Sequence, residues 1–473
     1  MKNNLKKNIF YNFAYQILIL VLPLITTPYL SRTLGAKGIG IYSFSQSIAT
    51  YFIYITVLGL SNYGNRAIAA VQNDKDQRSK VFFEIYTLQL VCFTVSIIVY
   101  IIYTIFWADD RYAAIAMSMW VWSSMFDINW FFFGMEQFKL TVIRNIFIKI
   151  FSVICIFIFV HNSEDVYIYI LIMSCSALLS QLCLWPYIKT LVYFIRPNWN
   201  GVLQHLKPNL KLFIPIIASS IYNMMDKIML GYMTNMEEVG FYENAEKIIK
   251  MVQSLIIAIG TVMLPRMSAL ACDVTDSNGK KYFDYAMEGV IIYVSAAIFG
   301  ILAIKDTFTY VYFGPGFEKT ASLLALLVVT VFFFGIGNVL RTQYLIPQKL
   351  DKIFIDSSIM GAVLNIVVNA VLIPYYASVG AAIATIFAEV SVCIYQFYKV
   401  RNNICFKRYL PVTIVYLSIG LFMYWILKHI KITQDKTVYL MRMVFIGGVT
   451  FILLTFFVLY LRVKLKLKRD SNG

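Results

Sequence analysis

Long apolar runs, each closed by a few polar or charged residues, recur along the whole chain. A membrane-spanning helix needs about 20 mostly apolar residues. Measured against that length, the chain predicts about fourteen spanning helices, over roughly 9–31, 41–60, 81–106, 112–134, 146–161, 166–188, 212–233, 243–264, 285–304, 321–342, 353–373, 380–398, 410–428 and 440–461. The segments between them are short, the longest being Lys189–Lys211 and Pro265–Asp284. The pattern predicts an all-α integral membrane protein with no separate soluble domain.

Within Lys189–Lys211, Trp199 precedes Val202, Leu203, Leu206 and Leu210, spaced to gather on one helical face and flanked by basic residues. Two readings stand: a short interfacial helix, or a plain amphipathic linker. The first residues, MKNNLKKNIF, have the basic start of a signal peptide. The apolar run behind them is too long for one and ends in no small-residue cleavage site, so a retained first helix is expected.

An internal repeat organises the helices. Residues 37–48 read KGIGIYSFSQSI and residues 237–248 read EEVGFYENAEKI. Gly40 aligns with Gly240, Tyr42 with Tyr242 and Ile48 with Ile248, each 200 positions on. The match is short. The hydropathy supports it independently, because each piece joins an outward first helix to an inward second one. The expected architecture is two six-helix lobes in the same orientation plus two C-terminal helices: residues 1–188, a connecting segment 189–211, residues 212–400, and 401–473. Parallel repeats of this kind bind substrate between their halves.

Charge sets the orientation. Lys and Arg number about 29 in the segments on the N-terminal side of the membrane and about eight on the other, so both termini are expected inside. The loop KHIKITQDK is the exception, being basic on the outer side. Composition agrees with lipid as solvent: 60% of residues are hydrophobic and 14% charged, against about 25% charged in soluble domains. The net charge of +16 does not point to nucleic acid, because no soluble basic face exists to carry it. The seven cysteines form no close pair, and the three histidines are scattered, so neither a disulfide framework nor a zinc site is expected.

The candidate chemistry is the set of polar residues inside apolar runs. SSIYNMMDKIMLGYM places Asp226 and Lys227 within the seventh predicted span. Each charge at a helix centre costs about 2.5–3.5 kcal/mol to insert. Neighbours point about 100° apart on a helix, so each needs its own partner or water. The repeat supplies more: Ser43, Gln46, Ser47 and Thr50 in the first half, and Glu243, Glu246, Lys247 and Lys250 in the second, each at i, i+3, i+4, i+7. A face this polar does not meet lipid. One reading is a hydrated cavity in the outer half, lined by predicted spans 1, 2, 7 and 8. The other is a buried structural ion network, in which Glu243–Lys247 and Glu246–Lys250 simply pair. Asp127, in SSMFDINWFFFG, and Glu389, in IFAEVSV, are the other acids considered, and either could take a coupling proton or sodium ion. Pro23 and Pro28 in span 1, and Pro215 in span 7, mark breaks in corresponding first helices.

Four stretches, SRTLGAKGIGIYSFSQSI, DINWFFFGMEQFK, MMDKIMLGYMTNMEEVGFYENAEKI and GAVLNIVVNAVLIPYYASVGAAIATIFAE, resemble Wzx-type polysaccharide flippases of the multidrug/oligosaccharidyl-lipid/polysaccharide exporter superfamily. The resemblance runs from the first span to about Glu389. It implies two six-helix lobes around a central cavity, in a bacterial plasma membrane. It implies movement of an undecaprenyl-pyrophosphate-linked oligosaccharide from the inner to the outer leaflet, before assembly into capsule, O-antigen or related polysaccharide. Alternating access, coupling to a proton or sodium gradient and no other cofactor are the implied mechanism. Membrane lipids, a polymerase and other polysaccharide-assembly proteins are the implied partners. On this resemblance Arg32, Lys227, Lys247 and Lys250 would hold pyrophosphate or acidic sugars, and Glu243, Glu246 and the Ser43–Thr50 stripe would bond sugar hydroxyls.

Rival readings remain at this stage. A multidrug antiporter of the same superfamily would favour an acidic cavity, whereas the candidate acids and bases here nearly balance. A peptidoglycan-precursor flippase shares the implied fold. A membrane polymerase would need a large outer loop or a catalytic carboxylate cluster, and the outer loops are short; the acids in ADD, SED and MEE read as solvated loop ends. No GxxxxGK[ST] loop marks an ATP-driven pump.

Overall fold

The computed structural model describes residues 2–270, 277–404 and 406–470, so Cys272 and Cys405 lie outside it. The side chains of residues 1–20, 215, 222, 265, 269–278, 463 and 465–473 also lie outside the description, among them those of Lys2, Lys6, Lys7 and Pro215. The described residues form helices joined by short turns, with no strand among them.

In chain order the helices are α1 (Lys2–Val57), α2 (Leu60–Ala70), α3 (Lys75–Phe106), α4 (Arg111–Ser123), α5 (Asn129–Gly134), α6 (Phe138–Phe159), α7 (Val166–Leu182) and α8 (Trp185–Leu191). They continue as α9 (Trp199–Met233), α10 (Met236–Leu270), α11 (Ser277–Tyr312), α12 (Glu318–Leu340), α13 (Asp351–Tyr376), α14 (Ser378–Val400), α15 (Tyr409–Lys428) and α16 (Lys436–Asp470). Among the described residues, 11 helical stretches are long and apolar enough to span a membrane.

The fourteen predicted spans account for these. Spans 1 and 2 are the two helical stretches of α1, which meet without a loop at a kink where Gly35 leaves helical geometry (φ 67°, ψ −178°). Gly35 has φ 67°, which glycine adopts without the strain a Cβ would bring. Span 4 is broken: α4 ends, a 3₁₀ turn covers Ser124–Phe126, and Asp127 is extended before α5 begins. Span 7 is the second part of α9, and the amphipathic segment at Trp199–Lys211 is its first part, continuous with it. Span 6 covers α7 and most of α8, which a short turn separates, and the remaining spans match one helix each.

Contacts divide the chain into two compact units, Met1–Gly240 and Phe241–Gly473. In the first, α1 packs on α3, α4 and α6, and α4 packs on α7. α9 packs on α1, α2 and α3 of this unit. One cluster of buried side chains joins Leu34, Ala49, Tyr100, Met117, Val121 and Ile170. A second is built from the DINWFFFG stretch: Trp130, Phe131 and Phe132 fill the space around Ile68, Phe82 and Ile188. Small residues permit this, as expected where lipid gives helices no hydrophobic reason to associate. The Trp130 indole lies flat enough on Gly64 that a Cβ there would stand 2.7 Å from the ring.

In the second unit α11 packs on α12, and α14 packs on both α12 and α13. The two last helices, α15 and α16, pack on α11 and on each other. Two acidic residues of α11, one turn apart, hold them. Asp284 accepts from Arg408 at 2.9 Å and from the Tyr409 hydroxyl. Glu288 accepts from the Tyr416 hydroxyl at 3.0 Å and from Arg462.

Candidate functional site

The candidate residues divide between the two units. In the first, Ser43 and Ser47 are buried on α1, and Gln46 and Thr50 are half-buried. The Ser47 hydroxyl donates to the Ser43 carbonyl at 2.8 Å, and the Thr50 hydroxyl to the Gln46 carbonyl at 2.7 Å. These hydroxyl protons are used within the helix, which leaves oxygen lone pairs as the groups a ligand could meet. Arg32 is exposed, near the Gly35 bend. On the neighbouring helix, Asp226 is 2% and Lys227 9% exposed. Tyr51, one turn past Ser47, lies beside Ser220 and within electrostatic reach of Asp226. The first unit therefore gathers hydroxyl, phenol and carboxylate groups along facing parts of α1 and α9.

A small cleft opens on another face of the same stretch of α1, lined by Ser45, Tyr103 and Asp110 among others. None of the sequence-predicted residues lines it.

In the second unit the charged stripe of α10 forms the i, i+4 pairs its spacing allows. Lys247 stands 3.3 Å from Glu243, and Lys250 2.8 Å from Glu246. Glu243 is buried, whereas the Lys250 side chain is 45% exposed. Both pairs place Glu N-terminal to Lys, the favourable order against the helix dipole.

The two ion-coupling candidates have different settings. Asp127 sits in the break between α4 and α5. Its Oδ1 accepts from the Asn129 backbone N–H at 3.0 Å and side-chain amide at 2.7 Å. Asn129 in turn bonds Gln181 at 3.0 Å and accepts from Arg144 at 3.0 Å. Gln89 donates to the carbonyls of Ser124 and Asp127, and its own oxygen accepts from the Trp130 indole at 3.2 Å. The break in span 4 is thus sealed by side chains that satisfy its loose backbone groups. Glu389 is buried on α14, one turn before the buried Cys393.

The structure also shows a polar cluster that sequence reasoning passed over. Glu84 of α3, 1% exposed, meets His205 of α9 at 3.3 Å, and His205 meets the Tyr63 hydroxyl of α2 at 2.6 Å. Glu84 lies only a few residues inside predicted span 3, and His205 is one of three scattered histidines. The faint available signal was the turn pattern Val202, His205, Asn209, which is the buried face of this part of α9. Leu203 and Leu210, read from sequence as part of the apolar face, are exposed. Among the described residues no cluster of three or more His, Cys, Asp or Glu side chains is placed to hold a metal ion.

Comparison with known proteins adds the family context. Residues 5–271 match the polysaccharide biosynthesis protein family. The chain is 24% identical over 414 residues to the "Putative O-antigen transporter" of Escherichia coli K12, covering 85% of this chain and 98% of that one. It is 24% identical over 409 residues to the protein of the same name from Shigella dysenteriae, covering 84% and 100%. Among solved structures, the lipid II flippase MurJ in an inward closed conformation superimposes with a TM-score of 0.76 at 13% identity, covering 94% of this chain and 98% of that one. That likeness is one of fold, and with the apolar helices it makes this a multi-pass membrane protein.

Proposed function

Because the chain belongs to the polysaccharide biosynthesis protein family, we propose that it is a Wzx-type flippase, a transporter that carries a lipid-linked oligosaccharide repeat unit across the membrane and breaks no bond in it. The observation that carries this reading is the end-to-end similarity to proteins named as O-antigen transporters. The buried Asp226 and Lys227 support it, because charges held inside an apolar helix mark a polar path more often than a structural one.

The proposed substrate is an undecaprenyl-pyrophosphate-linked oligosaccharide, moved from the inner to the outer leaflet of a bacterial plasma membrane for capsule, O-antigen or related polysaccharide. The lipid tail stays in the bilayer and the polar head travels. Lys227 and Arg32 are the proposed cationic contacts in the first unit, with Lys247 and Lys250 in the second. Glu243, Glu246 and the lone pairs of Ser43, Gln46, Ser47 and Thr50 are proposed to accept from sugar hydroxyls. Alternating access driven by a proton or sodium gradient is the proposed mechanism, with Asp127 and Glu389 as carboxylates that could hold the ion. Both termini are proposed to be cytoplasmic, and a polymerase is the proposed acceptor of the exported unit.

Depletion of the protein in its host, followed by extraction of lipid-linked oligosaccharides, tests this. Complete single repeat units should accumulate, and an external glycosidase should fail to reach them in intact cells. Accumulation on the outer face would make the protein a polymerase. No accumulation, with altered drug sensitivity, would make it a drug exporter.

A further inference from the structure

Glu84 sits where an isolated carboxylate is costly. One oxygen, Oε2, faces His205 Nε2 at 3.3 Å. The other, Oε1, is buried and has no hydrogen-bond partner. It rests on the backbone of Gly201, in the first turn of α9, where a Cβ would overlap it. His205, 7% exposed, turns its Nδ1 to the Tyr63 hydroxyl at 2.6 Å. Three helices, α2, α3 and α9, therefore meet through a phenol, an imidazole and a carboxylate.

We infer that Glu84, His205 and Tyr63 form a proton-binding site, and that the bound proton fastens the first turns of α9 to α2 and α3. With the proton on the imidazole, both ring nitrogens donate, one to Glu84 and one to the Tyr63 oxygen. The charges of Glu84 and His205 then cancel. Without it, the ring keeps one N–H, directed at Glu84, and Tyr63 reverses its hydroxyl to donate to Nδ1. The hydrogen bonds survive this change and the charge balance does not. A net negative charge remains in a site that burial denies to water, which is strongly unfavourable. Lifting the first turns of α9 admits water and relieves it. Proton loss and opening of this contact therefore promote each other.

Among the described residues, the basic side chains of these helices do not supply the missing charge. α9 packs on α1, α2 and α3. Arg66 on α2, Lys80 on α3 and Lys207 on α9 are all exposed. Arg78, buried on α3, is committed to the carbonyls of Gln72 and Leu191. The basic residues described on α1, Arg32 and Lys37, flank the Gly35 bend, far along the helix from its Val57 end. The site stands without any assumption about substrate; use of its proton to drive transport rests on the flippase reading.

Hydrogen–deuterium exchange of peptides covering residues 199–211, in the full-length protein in lipid nanodiscs, tests the proposal. After correction for the intrinsic pH dependence of exchange, opening in the wild type should increase as pH rises, approaching about tenfold per pH unit, the limit for one proton. Glu84→Gln and His205→Gln should each give a flat profile. A Tyr63→Phe variant, which keeps both charge-bearing groups and covers the case in which the others fail to insert, should keep the slope and move its midpoint. A flat wild-type profile overturns the site, as does a wild-type slope in either charge variant or an unmoved midpoint in Tyr63→Phe. The readout needs no substrate, so its failure is distinct from failure of the accumulation assay.

Discussion

Gly40 and Gly240, equivalent positions of the internal repeat, pack on each other. Both fall inside the first compact unit. A Cβ on Gly40 would overlap the Met236 carbonyl, and a Cβ on Gly240 would overlap the Ala36 carbonyl. Ala36 and Met236 are themselves 200 positions apart, so the contact is reciprocal: each helix gives a glycine to the other's carbonyl. This is the small-residue crossing that lets helix backbones touch in lipid. Gly40→Ala or Gly240→Ala should force α1 and the first turn of α10, Met236–Gly240, apart at a cost of about 1–3 kcal/mol. Gly300→Ala is the control, because a Cβ there meets nothing within 4 Å. It should raise stability by about 0.5–1 kcal/mol, the ordinary gain of Ala over Gly in a helix. Thermal unfolding in nanodiscs reads all three, and equal effects would refute the crossing.

That contact shows how far the sequence carries. The offset of 200 residues paired the two glycines, and hydropathy located the helices, because both signals are local and periodic. Two features were less legible. The gap between spans 1 and 2 reads as a loop, yet the two helices meet directly at a kink made by a single glycine with positive φ. Span 4 reads as continuous, yet it breaks at Asp127 because Gln89, brought from α3, donates to the freed Ser124 and Asp127 carbonyls and the Asp127 carboxylate accepts from the Asn129 N–H. The pairs on α10 were legible because both partners lie on one helix. Glu84 and His205 are 121 residues apart, and no local pattern connects them.

Lys227 and Lys250 should differ sharply in mutants. Lys227 is 9% exposed in an apolar helix, whereas Lys250 is paired with Glu246 near solvent. An exposed i, i+4 pair contributes about 0.3–0.5 kcal/mol. Loss of a buried cationic contact to an anionic substrate removes about 1.5–3 kcal/mol. Lys227→Ala should therefore cut export at least about tenfold, with repeat units accumulating, while Lys250→Ala, which removes a proposed contact already screened by solvent, should cut it by only about twofold. Quantifying lipid-linked oligosaccharide in complemented cells decides between them. Comparable export from both variants would remove Lys227 from the path.

Glu288 should be the main anchor of the last two helices. A single one of its two carboxylate oxygens, Oε1, accepts from Tyr416 on α15 and from Arg462 on α16. Glu288→Ala removes both acceptor bonds at once and should loosen α15 and α16 together, at a cost of about 1.5–3 kcal/mol for the charged bond. Limited proteolysis should then cut the 401–435 region faster while leaving the first unit's fragments unchanged. Asp284→Ala should act less strongly, because its Arg408 partner is 59% exposed and screened by solvent.

Arg78 belongs to the count of basic residues that orients the chain, but its side chain does something else. It is 8% exposed, and its guanidinium forks to the Leu191 carbonyl through Nε (3.1 Å) and Nη2 (2.6 Å), with Nη1 on the Gln72 carbonyl. It thereby ties the turn before α3 to the end of α8. Next to it, Tyr193 donates to the Asp76 carboxylate at 2.7 Å, and that bond raises the phenol's pKa. Lysine keeps the charge but cannot make the planar fork. Arg78→Lys should preserve the topology, since the charge tally is unchanged. It should still lose about 1.5–3 kcal/mol of stability from the broken bonds. Cysteine-accessibility mapping checks the first expectation and thermal unfolding the second. A Lys variant as stable as wild type would show that charge alone, and not the fork, holds this corner.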